Sequence, residues 1–331
     1  MVTPAPNHGE RQVLRVGVMG CAEIARRRML PAMRAHPLIE VAAVASRDAA
    51  KAAETAGLFG CRPVVGYDTL LADDTVQAVY VPLPAALHAR WVEAALAAGK
   101  HVLAEKPLTT DPACTRELLD QARARGLVLM ENVMFVHHGR HEVVRRLVAD
   151  GAIGELRALH VTFTIPRLPD DDIRHQPELG GGSLFDVGVY PVRAAVHLLP
   201  GPLEVRGAVL ERGPGRRVDT AGAALLRSPD GVVAHLTFGM EDAYRSRYEL
   251  SGSTGRILVD RAFTPPADHA PQIVVETRDG IRTHTLPPDD QVANTLDAFV
   301  AAVRTGHLSP ADSLAQADLL ATIRQTAVPS R

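Results

Sequence analysis

Short apolar runs alternate with amphipathic stretches over the first half of the chain, from Leu14 to about Gly151. This alternation is typical of parallel strands joined by crossover helices. It predicts strands at residues 15–19, 41–45, 78–82, 101–104 and 128–132. The helical spacing of Ala and Leu between them predicts helices at residues 24–35, 49–56, 88–98 and 112–125, the last three capped by Gly57, Gly99 and Gly126. The predicted fold class is α/β, a Rossmann-type doubly wound parallel sheet.

The pattern changes after Gly154 to segments with period-2 and β-branched character. Strands are predicted at residues 155–165, 203–211, 221–227, 232–239, 248–252 and 256–260, with turn signals at Pro229-Asp230-Gly231 and Asp279-Gly280. One helix at residues 187–199 is expected to cross this sheet, and helices at 290–305 and 311–326 close the chain. The second half is therefore predicted to be an α+β domain with a large, mostly antiparallel open sheet.

These patterns divide the chain into a flexible N-terminal arm at residues 1–13, a first domain at 14–151 and a second domain at 152–331. A chain of 331 residues fits two domains, since domains usually span about 100 to 200 residues. The first ten residues contain no apolar run, so no signal peptide is expected. The apolar stretches are shorter than the about 20 residues that a membrane span needs, so no membrane partner is expected.

Composition excludes several classes of protein. With 22% charged residues and a net charge of -2, the chain has no basic field for nucleic acid. Its three cysteines, Cys21, Cys61 and Cys114, are odd in number and unevenly spaced, which argues against a disulfide framework and favours the cytoplasm. The histidines lack acids or cysteines at ligand spacing, so no metal site is expected. The chain also lacks a Gly-x-Ser-x-Gly elbow, which makes a hydrolase a weak interpretation.

A candidate nucleotide-binding turn lies where the first strand meets the first helix. Gly20, Ala22 and Ala25 occupy the positions of G-x-G-x-x-G, where backbone N–H groups at a helix N-terminus approach a pyrophosphate. Alanine at the second position weakens the match, and the alternative is a tight turn without a ligand. The candidate cofactor-binding residues here are Gly20, Cys21, Ala22, Glu23 and Ile24.

The end of the second strand indicates which nucleotide is bound. An acidic residue there would accept hydrogen bonds from a ribose 2'-hydroxyl, but this strand ends in Ser46 and Arg47. A hydroxyl and a guanidinium suit a 2'-phosphate better, with Lys51 one helical turn further as a third donor. The alternative is that Arg47 is a solvated residue before a helix capped by Asp48. The preferred cofactor is therefore NADP(H).

Two further segments end at the same carboxyl edge of the predicted sheet, where ligands of open α/β folds collect. Glu105-Lys106-Pro107 follows one strand, and its lysine is a candidate to carry charge towards a nicotinamide ribose or a substrate oxygen. The alternative for this segment is a surface ion pair. Pro82, Leu83 and His88 follow another strand as candidate cofactor contacts, although His88 is equally compatible with a helix start that carries no chemistry.

A glycine-rich segment opens the helix of the second domain. Gly180-Gly181-Gly182 would let the backbone approach a ligand, and helical spacing places Asp186 and Tyr190 on one face. A phenol has a pKa near 10, so a cation such as Lys106 is needed to adjust it for proton transfer. The alternative is that Asp186 is an N-cap.

These elements together resemble the glucose-fructose oxidoreductase and inositol dehydrogenase family, over the chain from about Arg15 to its end. The resemblance implies hydride transfer between a nicotinamide and a carbinol or carbonyl carbon of a sugar-like ring. It implies Lys106 and Tyr190 as the catalytic pair at the reacting oxygen and Asp186 as a ligand of a substrate hydroxyl. Members carry His or Tyr at the position of Tyr190, and the peptide before the proline of E-K-P is often cis, which makes Lys106-Pro107 a candidate.

Within this family the chain is most similar to the actinomycete 3-ketoreductases that act on dTDP-linked keto-deoxysugars in antibiotic biosynthesis. Arg167, Arg174 and His175 would then meet the substrate pyrophosphate. Alternatively these arginines are rim charges, and the acidic run at residues 170–172 would repel an anion unless it faces solvent.

The resulting hypothesis is an NADPH-dependent ketoreductase that reduces a ring ketone, at the third carbon, of a dTDP-linked sugar. The alternatives are an NADP-dependent dehydrogenase of a free aldose or trans-dihydrodiol, and a catalytically inactive NADP-binding regulatory protein. The first domain would bind the dinucleotide and the second the substrate. The open sheet is also expected to pair copies of the chain into a homodimer or homotetramer.

Overall fold

The first half of the chain alternates strands and helices in the computed structural model, which describes residues 13–329. Residues 1–12 of the expected N-terminal arm lie outside this range. The strands are β1 (Leu14–Met19), β2 (Ile39–Ser46), β3 (Arg62–Val65), β4 (Ala78–Val81), β5 (His101–Glu105) and β6 (Leu129–Asn132). All neighbouring strands pair in parallel, in the order β3-β2-β1-β4-β5-β6. The predicted doubly wound sheet is confirmed.

The α-helices of residues 13–329 pack around two sheets. They are α1 (Leu30–Ala35), α2 (Ala49–Phe59), α3 (Tyr67–Leu71), α4 (Ala85–Ala97), α5 (Pro112–Ala124), α6 (Arg140–Ala149), α7 (Val189–Leu198), α8 (Gln291–Thr305) and α9 (Ala311–Thr326). Two of them begin with a π-helical turn, at Ala25–Met29 before α1 and at Leu184–Gly188 before α7. These turns replace the regular starts that helical spacing predicts.

The second sheet has nine strands in the order β14-β13-β12-β11-β7-β10-β9-β8-β15. They are β7 (Leu156–Thr164), β8 (Glu204–Glu211), β9 (Ala221–Arg227), β10 (Val233–Gly239), β11 (Arg245–Gly252), β12 (Gly255–Asp260), β13 (Gln272–Thr277), β14 (Gly280–Thr285) and β15 (Val328–Pro329). Within this second sheet, only the pairs β7–β10 and β8–β15 are parallel among the described strands. The expected mostly antiparallel open sheet is confirmed.

The sequence-based expectations missed the strands β3, β13, β14 and β15 and the helices α3 and α6, and they misplaced the end of α2. The edge strand β3 has three exposed residues out of four, and β14 is exposed along nearly its whole length, so neither carries an apolar alternation. The Asp279-Gly280 turn signal was correct, since it joins β13 to β14. The predicted cap at Gly57 was wrong, because α2 continues to Phe59 and ends at Gly60, whose left-handed φ of 65° suits a C-cap.

The end of the chain returns to the first sheet. Val292, Leu296 and Phe299 of α8 are buried in the same apolar core as Leu30 and Met33 of α1. The last helix, α9, packs against α7 and β8 of the second half of the chain and also against α5 of the first half. We propose that the boundary between the domains lies near residue 151, as the pattern predicts, and that α8 is attached to the first domain's core.

Two features that would indicate other functions are absent from residues 13–329. No helix in this range is long and apolar enough to cross a membrane. No three His, Cys, Asp or Glu side chains in the same range are grouped as candidate metal ligands.

Four histidines lie in the interior around α6 and α7. Burial lowers the pKa of His137, His138 and His197 to about 4. Burial also lowers the pKa of His141 far below its usual range, and the buried guanidinium of Arg140 contributes to this shift. All four side chains are therefore neutral in the folded protein at neutral pH.

We predict that the protein loses stability as the pH falls from about 6.5 to about 4, because these histidines bind protons in the unfolded chain before they bind them in the fold. Thermal unfolding followed by circular dichroism across this range measures the loss. His197→Gln should flatten the decline, whereas a control replacement of the exposed His307 should not. Equal slopes for wild type and His197→Gln would contradict the prediction.

Candidate active site

The turn after β1 leaves room for a ligand beside the backbone. Gly20 has a φ of 115°, which side chains rarely adopt, and a Cβ atom there would lie 3.1 Å from Leu83 Cδ2. Glycine is therefore required at this position. The Cys21 thiol lies 3.5 Å from the Lys51 carbonyl, while the exposed Glu23 forms an ion pair with Arg27. The predicted cofactor turn thus lies against the start of α2.

The end of β2 presents a hydroxyl and two cations beside that turn. Ser46 is buried, and its Oγ accepts a hydrogen bond from Asp48 N at 3.1 Å, which leaves its hydroxyl hydrogen free to donate. Arg47 and Lys51 are exposed. Asp48 caps α2, as the alternative interpretation supposed, and this cap leaves Arg47 available to a ligand.

Tyr67 is a candidate site residue that the sequence pattern did not indicate. It follows β3, the exposed strand without a recognisable pattern, and its ring packs edge-on against Trp91 at 4.9 Å between centroids. Its hydroxyl lies 3.6 Å from the position a Cβ of Gly20 would take. Burial raises the pKa of Tyr67, and the nearby Arg47 only partly offsets the rise. A neutral phenol therefore borders the cofactor turn.

Glu105 and Lys106 do not form the surface ion pair of the alternative interpretation. Glu105 is buried at the end of β5 and accepts hydrogen bonds from Tyr80 Oη and Asn132 Nδ2, each at 2.7 Å. The Lys106-Pro107 peptide is cis, as expected. The lysine side chain extends into the space between the two domains, where it meets the start of α7.

His88 joins the two loops at the sheet edge. Its Nδ1 lies 2.8 Å from the Pro107 carbonyl and its Nε2 lies 2.7 Å from the Leu83 carbonyl. Both ring nitrogens are therefore engaged inside the protein, and Pro82 is buried beside them. The histidine connects the loops that carry Leu83 and Lys106, and a contact between His88 and the cofactor stays a prediction.

The centre of the site is a row of partly buried charges. Lys106 Nζ lies 3.0 Å from Asp186 Oδ1 and 2.7 Å from the Asp186 carbonyl. The other carboxylate oxygen of Asp186 accepts from Arg174 Nε at 2.8 Å, and Arg174 also pairs with Asp172. Asp186 is not an N-cap, because it lies inside a π-helical turn and its carboxylate binds these two cations.

These charges fix the protonation of Lys106, Asp186 and Tyr190. Burial opposes the charge of Lys106, but Asp186 and Tyr190 raise the pKa of its ammonium group above the usual value. Burial would likewise raise the pKa of Asp186, yet Lys106 and Arg174 hold it below the usual value. Burial raises the pKa of Tyr190 more than Lys106, 5.1 Å from the ring centroid, lowers it. At neutral pH the site contains a cation, a carboxylate and a protonated phenol.

The three glycines before this helix are required by packing within the protein. A Cβ on Gly180 would lie 2.9 Å from Ala86 N, one on Gly181 2.4 Å from the Arg174 carbonyl, and one on Gly182 2.6 Å from Asp219 Oδ1. These glycines allow a close approach of protein segments, and the expected approach of backbone to ligand stays a prediction. Asp219, which the sequence did not indicate, accepts hydrogen bonds from Ser183 Oγ and Leu184 N, each at 2.7 Å.

The residues expected to meet a pyrophosphate lie in different surroundings. Arg167 is exposed and pairs with Asp170 at 2.9 Å, whereas Arg174 lies in the site. His175 is buried, and neither ring nitrogen has a hydrogen-bond partner. Asp170 and Asp172 of the acidic run therefore face solvent and also form ion pairs with the two arginines. The spacing of these residues along the chain did not show these pairs.

Comparison with known proteins identifies the family. A model of the oxidoreductase family with an NAD-binding Rossmann fold matches residues 14–133, and a model of the GFO/IDH/MocA C-terminal domain matches residues 141–258. The chain belongs to the GFO/IDH/MocA oxidoreductase family. The expected resemblance is confirmed.

Similar members of the GFO/IDH/MocA family include enzymes named for reactions on sugars. The chain is 51% identical to a dTDP-3,4-didehydro-2,6-dideoxy-alpha-D-glucose 3-reductase of Streptomyces antibioticus, over 95% of this chain and 97% of the relative. It is 36% identical to an NADP+-dependent D-xylose 1-dehydrogenase of Haloferax volcanii, over 93% and 94%. A crystal structure of a 3-ketoreductase from Actinomadura kijaniata, in complex with NADP and TDP-benzene, matches with a TM-score of 0.94 and 51% identity over 96% and 99%.

We predict that Gly182→Ala destabilises the protein by about 1–3 kcal/mol, because the added methyl group meets Asp219 and the backbone has a φ of 119°. Gly57→Ala is a matched control inside α2, where a Cβ has open space, and it should stabilise by about 0.5–1 kcal/mol. Urea denaturation measures both changes. An unchanged midpoint for Gly182→Ala would contradict the packing argument.

Proposed function

We propose that this GFO/IDH/MocA oxidoreductase is an NADPH-dependent ketoreductase that reduces the ketone at the third carbon of a dTDP-linked keto-deoxysugar. The observation that carries the proposal is the partly buried group of Lys106, Asp186 and Tyr190 at the carboxyl edge of the first sheet. It occurs in a chain 51% identical, over nearly its full length, to a dTDP-3,4-didehydro-2,6-dideoxy-alpha-D-glucose 3-reductase.

The residues at the ends of β1 and β2 fit NADP(H). Gly20 keeps the turn open for a pyrophosphate, because any side chain there would meet Leu83. The hydroxyl of Ser46 and the charges of Arg47 and Lys51 are suited to a 2'-phosphate. An acidic residue that would repel this phosphate is absent from the end of β2.

Tyr190 is the proposed proton donor to the ketone oxygen. Burial raises the pKa of its phenol, so the proton is present at neutral pH. The charge of Lys106, close to the ring, stabilises the phenolate that remains and the alkoxide that develops on the substrate. Bound NADPH supplies the hydride for the carbonyl carbon. Asp186 keeps Lys106 charged and is placed to accept a hydrogen bond from a sugar hydroxyl.

Recognition of the nucleotide carrier is a separate part of the proposal. Arg174 is about half-exposed beside Asp186 and is the cation closest to the reacting group among the three predicted pyrophosphate ligands. Arg167 and His175 remain proposed ligands on the same entry segment. Because acids partner both arginines, a pyrophosphate must compete with Asp170 and Asp172.

One alternative has a specific observation in its favour. The 36% identity to an NADP+-dependent D-xylose 1-dehydrogenase supports a reaction on a free aldose, which would use the same Lys106 and Tyr190. Activity on sugars without dTDP, and none on the dTDP-linked ketone, would favour this alternative. The complete charge row around Asp186 argues against an inactive regulatory protein.

The open sheet is the proposed surface for self-association. Helix α7 covers one face, at β7 and β10, while Val209 and Leu225 are exposed on the sheet. We propose that this sheet forms a homodimer or homotetramer interface.

The cytoplasmic location expected from cysteine usage also stays a prediction.

We predict that Tyr190→Phe lowers the turnover number by about 100-fold or more while NADPH binding stays within twofold, because only the transferable proton is lost. NADPH oxidation with a dTDP-linked keto-deoxysugar is followed at the nicotinamide absorbance band. Tyr244→Phe, which removes an exposed hydroxyl, is the control. Normal turnover by Tyr190→Phe would exclude Tyr190 as the acid, and NADPH binding by wild type without oxidation would exclude this substrate.

We predict that Arg47→Ala raises the dissociation constant for NADPH at least about tenfold and leaves that for NADH nearly unchanged, because only NADPH carries the 2'-phosphate. Fluorescence titration with both nucleotides measures the change. Arg123→Ala, which removes an exposed arginine from α5, should bind NADPH as wild type does. An equal loss for both nucleotides would argue that Arg47 acts on the fold instead.

A further inference from the structure

The carboxylate of Glu131, at the end of β6, accepts hydrogen bonds from four donors although its side chain is only 1% exposed. Leu108 N at 2.9 Å and Gln316 Nε2 at 2.6 Å reach Oε1. Ser313 Oγ at 2.7 Å and the Arg193 guanidinium reach Oε2. We name Glu131, Arg193, Ser313 and Gln316 the Glu131 cluster.

The donors come from elements that carry the proposed catalytic residues. Leu108 lies two residues after Lys106 on the same loop. Arg193 lies in α7, almost one helical turn after Tyr190. One carboxylate from the first sheet therefore holds both the lysine loop and the tyrosine helix.

Helix α9 contributes two residues of the Glu131 cluster, Ser313 and Gln316, which also contact Arg193. Arg193 Nε donates to Gln316 Oε1 at 2.8 Å, and another Arg193 nitrogen lies 3.2 Å from Ser313 Oγ. The guanidinium is thus held in one orientation by Glu131 and two residues of α9. Rotation of α7 against the first sheet would break several of these bonds together.

The buried ion pair of Glu131 and Arg193 is expected to add little to the free energy of unfolding. Desolvation of a buried ion pair offsets most of its Coulomb attraction, and apolar side chains of similar size often stabilise as well. Four hydrogen bonds on one carboxylate instead impose a fixed geometry on the segments that donate them. Neither Glu131 nor Arg193 belongs to the charge row of Lys106, Asp186 and Arg174.

We propose that Glu131 is a positioning residue that sets the separation of Lys106 and Tyr190. This inference rests on the proposed function, because it assigns the two residues to one reaction. Lys106 Nζ lies 5.1 Å from the centre of the Tyr190 ring, and each residue is within three positions of a donor to Glu131. A displacement of about 1 Å in such a site is sufficient to reduce turnover about 100-fold.

The test uses Glu131→Gln in the full chain, because glutamine keeps the size but turns an NH2 group towards two of the four donors. We expect the turnover number per NADPH-binding site to fall about 10- to 100-fold. The KM for the nucleotide sugar and the dissociation constant for NADPH should stay within about threefold, since the hydrogen bonds of Glu131 come from residues that are not proposed to bind either ligand. Glu117→Gln, which removes an exposed carboxylate from α5, should match wild type.

A second variant covers the case in which Glu131→Gln does not fold. Arg193→Lys keeps a cation on Glu131 but loses the bond to Gln316, so it should lower turnover less than Arg193→Met does. Where Glu131→Gln folds, the double variant Glu131→Gln, Arg193→Met gives a further test. Its fold-loss in turnover number should be smaller than the product of the fold-losses of the two single variants, because both substitutions act through one cluster. Losses that multiply would overturn the proposal.

Two outcomes separate this inference from the proposed function. Unchanged turnover per NADPH-binding site in Glu131→Gln, with a lower melting temperature, would show a purely structural role and overturn the inference alone. If wild type binds NADPH but reduces no dTDP-linked ketone, the proposed function fails, and a crystal structure of Glu131→Gln decides the positioning. A Lys106 Nζ to Tyr190 ring-centre distance still at 5.1 Å would overturn it, and a changed one would support it.

Discussion

The charge of Lys106 depends on one carboxylate from the other domain. Burial disfavours the ammonium form, and Asp186 restores it by lying 3.0 Å from Nζ. Asp186 itself stays ionised only because Lys106 and Arg174 bind its two oxygens. The charges of the site are therefore paired only when the loop after β5, which carries Lys106, packs against the start of α7, which carries Asp186. Domain packing and catalytic competence are in this respect a single constraint.

The fold meets this constraint by close packing and irregular helix starts. Gly182 lies so close to Asp219 that a methyl group would not fit, and Asp219 holds the first N–H groups of the segment that carries Asp186. Both helices that border the site begin with a π-helical turn, a feature often found at functional sites. Such turns and contacts fix the orientation of Asp186 and Tyr190 without any ligand present.

The sequence pattern predicted most strands and the Lys106, Asp186 and Tyr190 group, because apolar periodicity reports burial and short motifs report local chemistry. It did not reveal β3 and β14, whose residues are mostly exposed. Tyr67, Asp219 and Glu131 were also missed, since each reaches the site through contacts between distant segments. The protein contacts of Gly180 and His88 were missed for the same reason, because their partners belong to loops that spacing along the chain does not identify.

The cofactor-binding end and the proton-transfer end of the proposed site differ in how readily their residues can be substituted. Arg47 and Lys51 are exposed, so their replacement leaves few buried groups without partners, and cofactor preference can shift at little cost to the fold. Lys106 and Asp186 are partly buried and paired with each other, and removal of Asp186 takes the partner carboxylate from both Lys106 and Arg174. Cofactor preference is therefore easier to change by substitution than the proton-transfer centre, whose residues are held by the charges around them.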